Sequence, residues 1–114
     1  MPTISEAQIQ TVDLEGLRRK VWKVSHSLNS VSVLNKSIRT FEQFLQPKRL
    51  SEALQLDPYN TIDNFLTWLD ERSYRHQTQV TYYAYVRRFY AHHGIYLQRE
   101  RVKEQVSFQE TDLR

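Results

Sequence analysis

Residues 73–97 read SYRHQTQVTYYAYVRRFYAHHGIYL, and the fold turns on how this stretch is organised. Neither Pro nor Gly interrupts it before Gly94. Val80, Tyr83, Val86 or Arg87, and Tyr90 recur three and four apart, the spacing that sets side chains on one face of an α-helix. Phe89 stands beside them, and Gln77, Thr81, Tyr85, Arg88 and His92 fall on the opposite face. The spacing predicts a long helix over 76–93. Gly94 is placed to end it in a left-handed turn, which costs a residue without Cβ nothing. Ile95 and Leu97 are then expected to fold back onto the core.

The same reading extends towards the N-terminus. Asp57-Pro58 starts a helix, because Asp accepts from the first free N–H groups and Pro fits the first turn. Asn60, with Asp63 three residues on, is a rival cap. The helix is expected to reach about Arg72, with Ile62, Phe65, Leu66 and Leu69 inward and Trp68 alongside. Before it, Leu34, Ile38, Phe41, Phe44 and Leu45 form a stripe that predicts a helix over about 31–46, capped by Asn29 or Ser30. Pro47 ends that helix and opens a short one over 48–54. A first helix is expected from Asp13 to about Val24, capped by Asp13 or Thr11. Its stripe is Leu14, Leu17, Val21, Val24 and Leu28, and Gly16 weakens it. This helix is expected to pack on its own domain; a basic arm along DNA and a docking helix for a neighbouring protomer are the alternatives. Residues 1–12 read as a tail and 98–114 as a linker.

Composition fits this all-α reading. The chain has 114 residues, enough for one core, and only 2 Gly and 3 Pro, too few for the many tight turns of a sandwich or barrel. It has no Cys, which excludes disulfides and thiolate metal sites. No apolar run is long enough to span a bilayer, and the polar N-terminus is no signal peptide, so a cytoplasmic protein without a membrane partner is expected. The formal charge is +3, from 16 Lys+Arg against 13 Asp+Glu. Arg dominates the cations, and its planar fork suits phosphate and guanine.

Enzyme chemistry finds little support. Two Gly cannot make a phosphate-cradling loop. His92 and His93 are adjacent, so on a helix they point about 100° apart and chelate poorly together. No pair of carboxylates sits in an apolar setting that would tune one as a general acid. No metal or other cofactor is expected. The chemistry-bearing residues crowd instead into 73–93, where five of the seven Tyr interleave with Arg75, Arg87, Arg88 and a run of Gln and Thr. Arg75, His76, Gln77 and Thr78 surround a helix N-terminus, whose free N–H groups and positive dipole end favour phosphate. Gln, Arg and Thr can also reach base edges in a major groove.

The stretch 30–97 resembles the core-binding domain of tyrosine recombinases and phage-type integrases, a SAM-like fold. The resemblance rests on SVSVLNKSIRTFEQFL, with Leu34, Ile38, Phe41 and Phe44, then on DPYNTIDNFLTWLDER, and then on RHQTQVTYYAYVRRFYAHHGIYL with its Arg87-Arg88-Phe89-Tyr90 and Gly94-Ile95. It implies a compact four-helix core-binding bundle with an extra N-terminal helix. It also implies a non-catalytic DNA-binding function: the domain grips duplex DNA at a recombination site, together with a catalytic domain and neighbouring protomers. Two departures stand out. Gln79 occupies a place where the family has a small or apolar residue, and Tyr82, Tyr83 and Tyr85 are more Tyr than usual. No His-x-x-Arg occurs at His26, His76, His92 or His93, so none of the Tyr is assigned as a nucleophile. Under the resemblance the helices over 31–46 and 76–93 face the duplex. Lys36, Arg39, Arg75, His76, Gln77, Thr81, Tyr85 and Arg88, all off the expected core stripes, are the candidate DNA contacts. Lys36 and Arg39 are assigned to phosphates, Gln77 and Thr81 to bases. Two other readings stay open: a helix-turn-helix regulator built from 58–72 and 76–93, and a protein-interaction module with an aromatic face around Tyr82 and Tyr85.

Overall fold

The computed structural model describes residues 11–97; residues 1–10 of the expected tail over 1–12, and the expected linker over 98–114, lie outside them. The described residues form five α-helices and no strand: α1 (Leu14–Ser25), α2 (Leu28–Leu45), α3 (Leu50–Ala53), α4 (Pro58–Glu71) and α5 (His76–His92). The fold is the expected all-α bundle.

Local chemistry sets each boundary. The Asp13 carboxylate accepts from Gly16 N at 2.9 Å and starts α1. A Cβ on Gly16 would run into that carboxylate, so the glycine makes room for the cap. His26 takes a left-handed conformation, φ 50°, and closes α1 by donating from its N–H to Trp22 O at 2.7 Å. The next helix follows at once, because Ser27 Oγ accepts from Ser30 N. It therefore begins three residues before the expected Val31, and neither Asn29 nor Ser30 is the cap. Asp57 caps α4 by accepting from Tyr59 N at 3.1 Å, with Pro58 in the first turn. Beyond α4, Ser73 adopts φ 62°, and the N–H groups of Ser73 and Tyr74 donate to Asp70 O and Leu69 O. This is a paired C-terminal closure that usually recruits Gly. Gly94, φ 85°, makes the same closure after α5, with Gly94 N to Ala91 O and Ile95 N to Tyr90 O.

One core runs through all five helices. Phe41 of α2 lies at its centre, edge-on to Phe65 of α4 at 5.1 Å and to Tyr90 of α5 at 6.3 Å. Such edge-to-face pairs add to the burial of the rings. Leu17 and Val21 bring α1 into the same core, where it packs against α2 and α5. Leu97 is buried there too, as expected. Val24 and Leu28, expected on the α1 stripe, are each 78% exposed. The left-handed His26 breaks the helix between them, so one stripe cannot run through both.

The inward face of α5 differs from the expected one. Gln79, Tyr82, Val86, Phe89 and Tyr90 are buried, while Val80 and Tyr83 are only partly covered. Tyr82 packs against Tyr74 with ring centroids 5.9 Å apart and is 4% exposed. The aromatic docking face expected around Tyr82 and Tyr85 is therefore not formed. Gln79 is buried because its amide has partners: Nε2 donates to Tyr74 O at 2.9 Å and to Asp70 Oδ1 at 3.3 Å.

Candidate nucleic-acid interface

A groove of about 540 Å³ opens between α2 and the turn that leads into α5. Lys36 and Arg39 reach it from α2, and Arg75 from the turn. Lys36 and Arg39 stand three apart on the outer side of α2, whose inner side carries Leu34, Ile38 and Phe41. All three cations are exposed, and none is in an ion pair among the described residues. The other lining groups include Gln43, Tyr74 and Thr78, with no carboxylate among the described residues. Three like charges around an open groove repel one another unless an anion sits between them, and guanidinium and ammonium groups are the usual ligands of phosphate.

The turn is held in place for this. The closure at Ser73 fixes the exit from α4, and the Gln79 amide clips Tyr74 O from inside. Arg75 is then the N-cap residue of α5, in extended conformation with ψ 146°, and supplies no side-chain bond to the first turn. No acidic residue sits in that turn either. The positive end of the helix dipole thus adds to the Arg75 charge at the groove.

A second groove continues the basic surface. It is lined by Arg18, Asn35, Arg39 and Glu42, so Arg39 belongs to both. Arg18 Nε donates to Asn35 Oδ1 at 2.6 Å, which fixes that guanidinium against α2.

The other candidates on α5 separate from these. Gln77 is exposed and His76 half-buried at the start of the helix. The Thr81 hydroxyl donates to Gln77 O at 3.0 Å, within its own helix, so it is already engaged. Tyr85 is half-buried, with the Arg88 guanidinium 5.5 Å from its ring. Arg88 lines a different groove, between α1 and α5. The structure therefore brings Lys36, Arg39 and Arg75 together and sets Arg88 apart. Thr78, read from the sequence as part of the α5 N-terminus, lines the groove too, and Gln43 and Tyr74 are among the lining residues that sequence reasoning left out. Gln43 lay visibly off the α2 stripe, whereas Tyr74 had no signal to tell it from the other Tyr.

His92 and His93 serve structure. His92 Nε2 lies 3.0 Å from Asp13 Oδ2, and His93 Nε2 accepts from Asp13 N at 2.9 Å while its Nδ1 donates to Phe89 O at 2.8 Å. Both rings thus tie the end of α5 to the start of α1. The Asp13 carboxyl is held below its ordinary value by the Gly16 N–H first and by His92 second. Among the described residues no group of three His, Cys, Asp or Glu is placed to hold a metal ion. No helix of the described residues is long and apolar enough to cross a membrane.

No protein-family model, curated protein or solved structure matches this chain. The likeness to core-binding domains rests on the residues quoted above.

Proposed function

We propose that the chain is a non-catalytic DNA-binding domain that holds the phosphate backbone of duplex DNA in the groove between α2 and α5. The observation that carries this reading is the convergence of Lys36, Arg39 and Arg75, from two separate segments, on one carboxylate-free groove at a helix N-terminus. Their side chains grip phosphate oxygens, and Thr78 and Tyr74 offer hydroxyls to the same strand. Such contacts set position and register without reading sequence. Bases are read, if at all, by Gln77 at the exposed start of α5. The resemblance to recombinase core-binding domains supports a role as the gripping half of a two-part clamp, with cleavage done by a separate catalytic domain.

The test is a titration of the protein into labelled duplex DNA at two salt concentrations. Affinity is expected to fall steeply with salt, as for about three to six phosphate contacts. Replacing Lys36, Arg39 and Arg75 together by Gln should flatten the log–log slope by about 2.7, three phosphates at roughly 0.9 each. Absence of binding at low salt, or an unchanged slope in the triple variant, overturns the reading.

A further inference from the structure

We propose that the groove between α1 and α5 is a docking site for an acidic amphipathic helix of a partner protein. This groove, of about 390 Å³, is separate from the one assigned to phosphate and does not depend on that assignment. Leu17 and Val21 form its floor, and Val24 and Tyr96 stand along it. The last two are 78% and 79% exposed. Leu28, at the start of α2, is exposed to 78% and Trp22, near the end of α1, to 41%, but neither lines the groove. Val24 and Tyr96 are uncovered on one groove, and apolar side chains grouped in this way mark an interaction surface more often than scattered ones do.

The rim decides the partner's charge. Lys20 and Arg88 line the groove, no Asp or Glu does, and neither cation is in an ion pair among the described residues. The exposed side of α1 adds Arg19 and Lys23 against one carboxylate, Glu15 in the first turn. A partner that covers Val24 and Tyr96 must approach these cations, so carboxylates flanking its apolar ridge give the complementary field. The walls decide the partner's shape. Two packed helices leave a channel that the ridge of a third helix fills. A peptide bound by strand addition would need a sheet edge to pair with, and the described residues contain no strand. A nucleic-acid backbone has no apolar surface to cover Val24 and Tyr96. A lipid surface calls for a projecting apolar face, whereas Leu17 and Val21 lie at the bottom of a channel.

The experiment uses the full chain, isotope-labelled for NMR. The probe is a synthetic helix of about 18 residues, long enough to be helical on its own. It carries Leu at i, i+3, i+7 and i+10 with Glu on both flanks; a twin carries Lys for Glu. The acidic peptide is expected to shift amides over 17–24 and 88–96, and the basic twin is expected not to. Val24→Asp, and separately Tyr96→Ser, should each weaken binding about tenfold or more, as loss of an interface anchor does. Both positions are exposed, so the helical CD spectrum should stay unchanged. Equal response to the two peptides, or none at millimolar peptide, overturns the proposal. So do three other outcomes: self-association abolished by Val24→Asp, which gives the groove to a second copy; cross-peaks from the Val24 methyls to residues 98–114, which give it to the chain's own segment; and binding to anionic phosphatidylserine vesicles that Val24→Asp abolishes, which gives it to a lipid surface.

Discussion

The side-chain amide of Gln79 donates to the backbone carbonyl of Tyr74 at 2.9 Å, across the turn that carries Arg75 into the groove. A residue of the buried stripe of α5 thus fixes the path of an exposed loop. Replacing it by an apolar side chain of similar size removes the donor and leaves the carbonyl to find another. Gln79→Leu is expected to cost about 1–3 kcal/mol, the usual penalty for an orphaned buried partner. Chemical denaturation checks the cost. DNA affinity should fall as well, because Arg75 loses its support; an unchanged midpoint would show that the amide holds nothing.

Ser73 is a left-handed residue with a side chain, at a closure that usually recruits Gly. Its hydroxyl makes no compensating hydrogen bond among the described residues. Ser73→Gly is expected to stabilise the fold by about 0.5–1 kcal/mol. The mirror experiment is Gly94→Ala. Nothing lies within 4 Å of the added Cβ, so the cost comes from φ 85° alone and is expected at about 1 kcal/mol. Thermal melts of the two variants should move in opposite directions.

Much of this was legible in the sequence, and the misses have physical causes. Asp57-Pro58 admits few readings, and α4 begins at Pro58. The polar run SHSLNS contains several residues able to cap a helix, so local chemistry did not choose Ser27. The face of α5 was misjudged because Tyr82, Tyr83 and Tyr85 offer an aromatic ring on several sides of one helix. A polar Gln79 inside the buried stripe then concealed the true period. The exposed cations Lys36 and Arg39 were readable from the α2 stripe alone. That they share a groove with Arg75 depends on how α2 crosses α5, for which no short stretch of sequence carries a signal.

Arg75 caps α5 and Arg88 lies within it, but they line different grooves. Substituting each by Ala separates their roles. Arg75→Ala is expected to lower the salt slope of DNA binding by about 0.9. Arg88→Ala should lower it by much less. Equal effects would place the duplex along the outer face of α5 instead.

The Asp13 contacts predict a response to acid. Its carboxyl is held below the ordinary 3.8 by the Gly16 N–H and by His92, so the folded state prefers the charged form. That stabilisation is present above the ordinary value and is lost as pH falls through the lowered one. The attachment of α1 should therefore weaken below about pH 4. Asp13→Asn keeps a capping oxygen and loses the charge, while Asp13→Ala loses both. Hydrogen exchange of the α1 amides should rank them wild type, then Asn, then Ala in protection.

Tyr90 gives the alkaline counterpart. Burial, foremost, pushes its phenol up to about 12. The folded state therefore holds the proton more tightly than the unfolded chain, which releases it near pH 10. Stability is retained below about pH 10 and falls as pH rises through about 12. Tyr90→Phe should show a shallower loss over that interval. At neutral pH it should cost about 1 kcal/mol or less, since the hydroxyl bond to Ala53 O is long at 3.4 Å. Urea midpoints at pH 7 and pH 11 check both.

The pairing of Asp13 with His92 and His93 brings the first helix's start and the last helix's end to one corner. The cation groove lies at the other end of α5, about 25 Å away for 17 residues of helix. Asp13 and Arg75 thus stand at opposite ends of one rod, and a pull on the chain at residue 11 is taken up by His92 and His93 before it reaches the turn that carries Arg75.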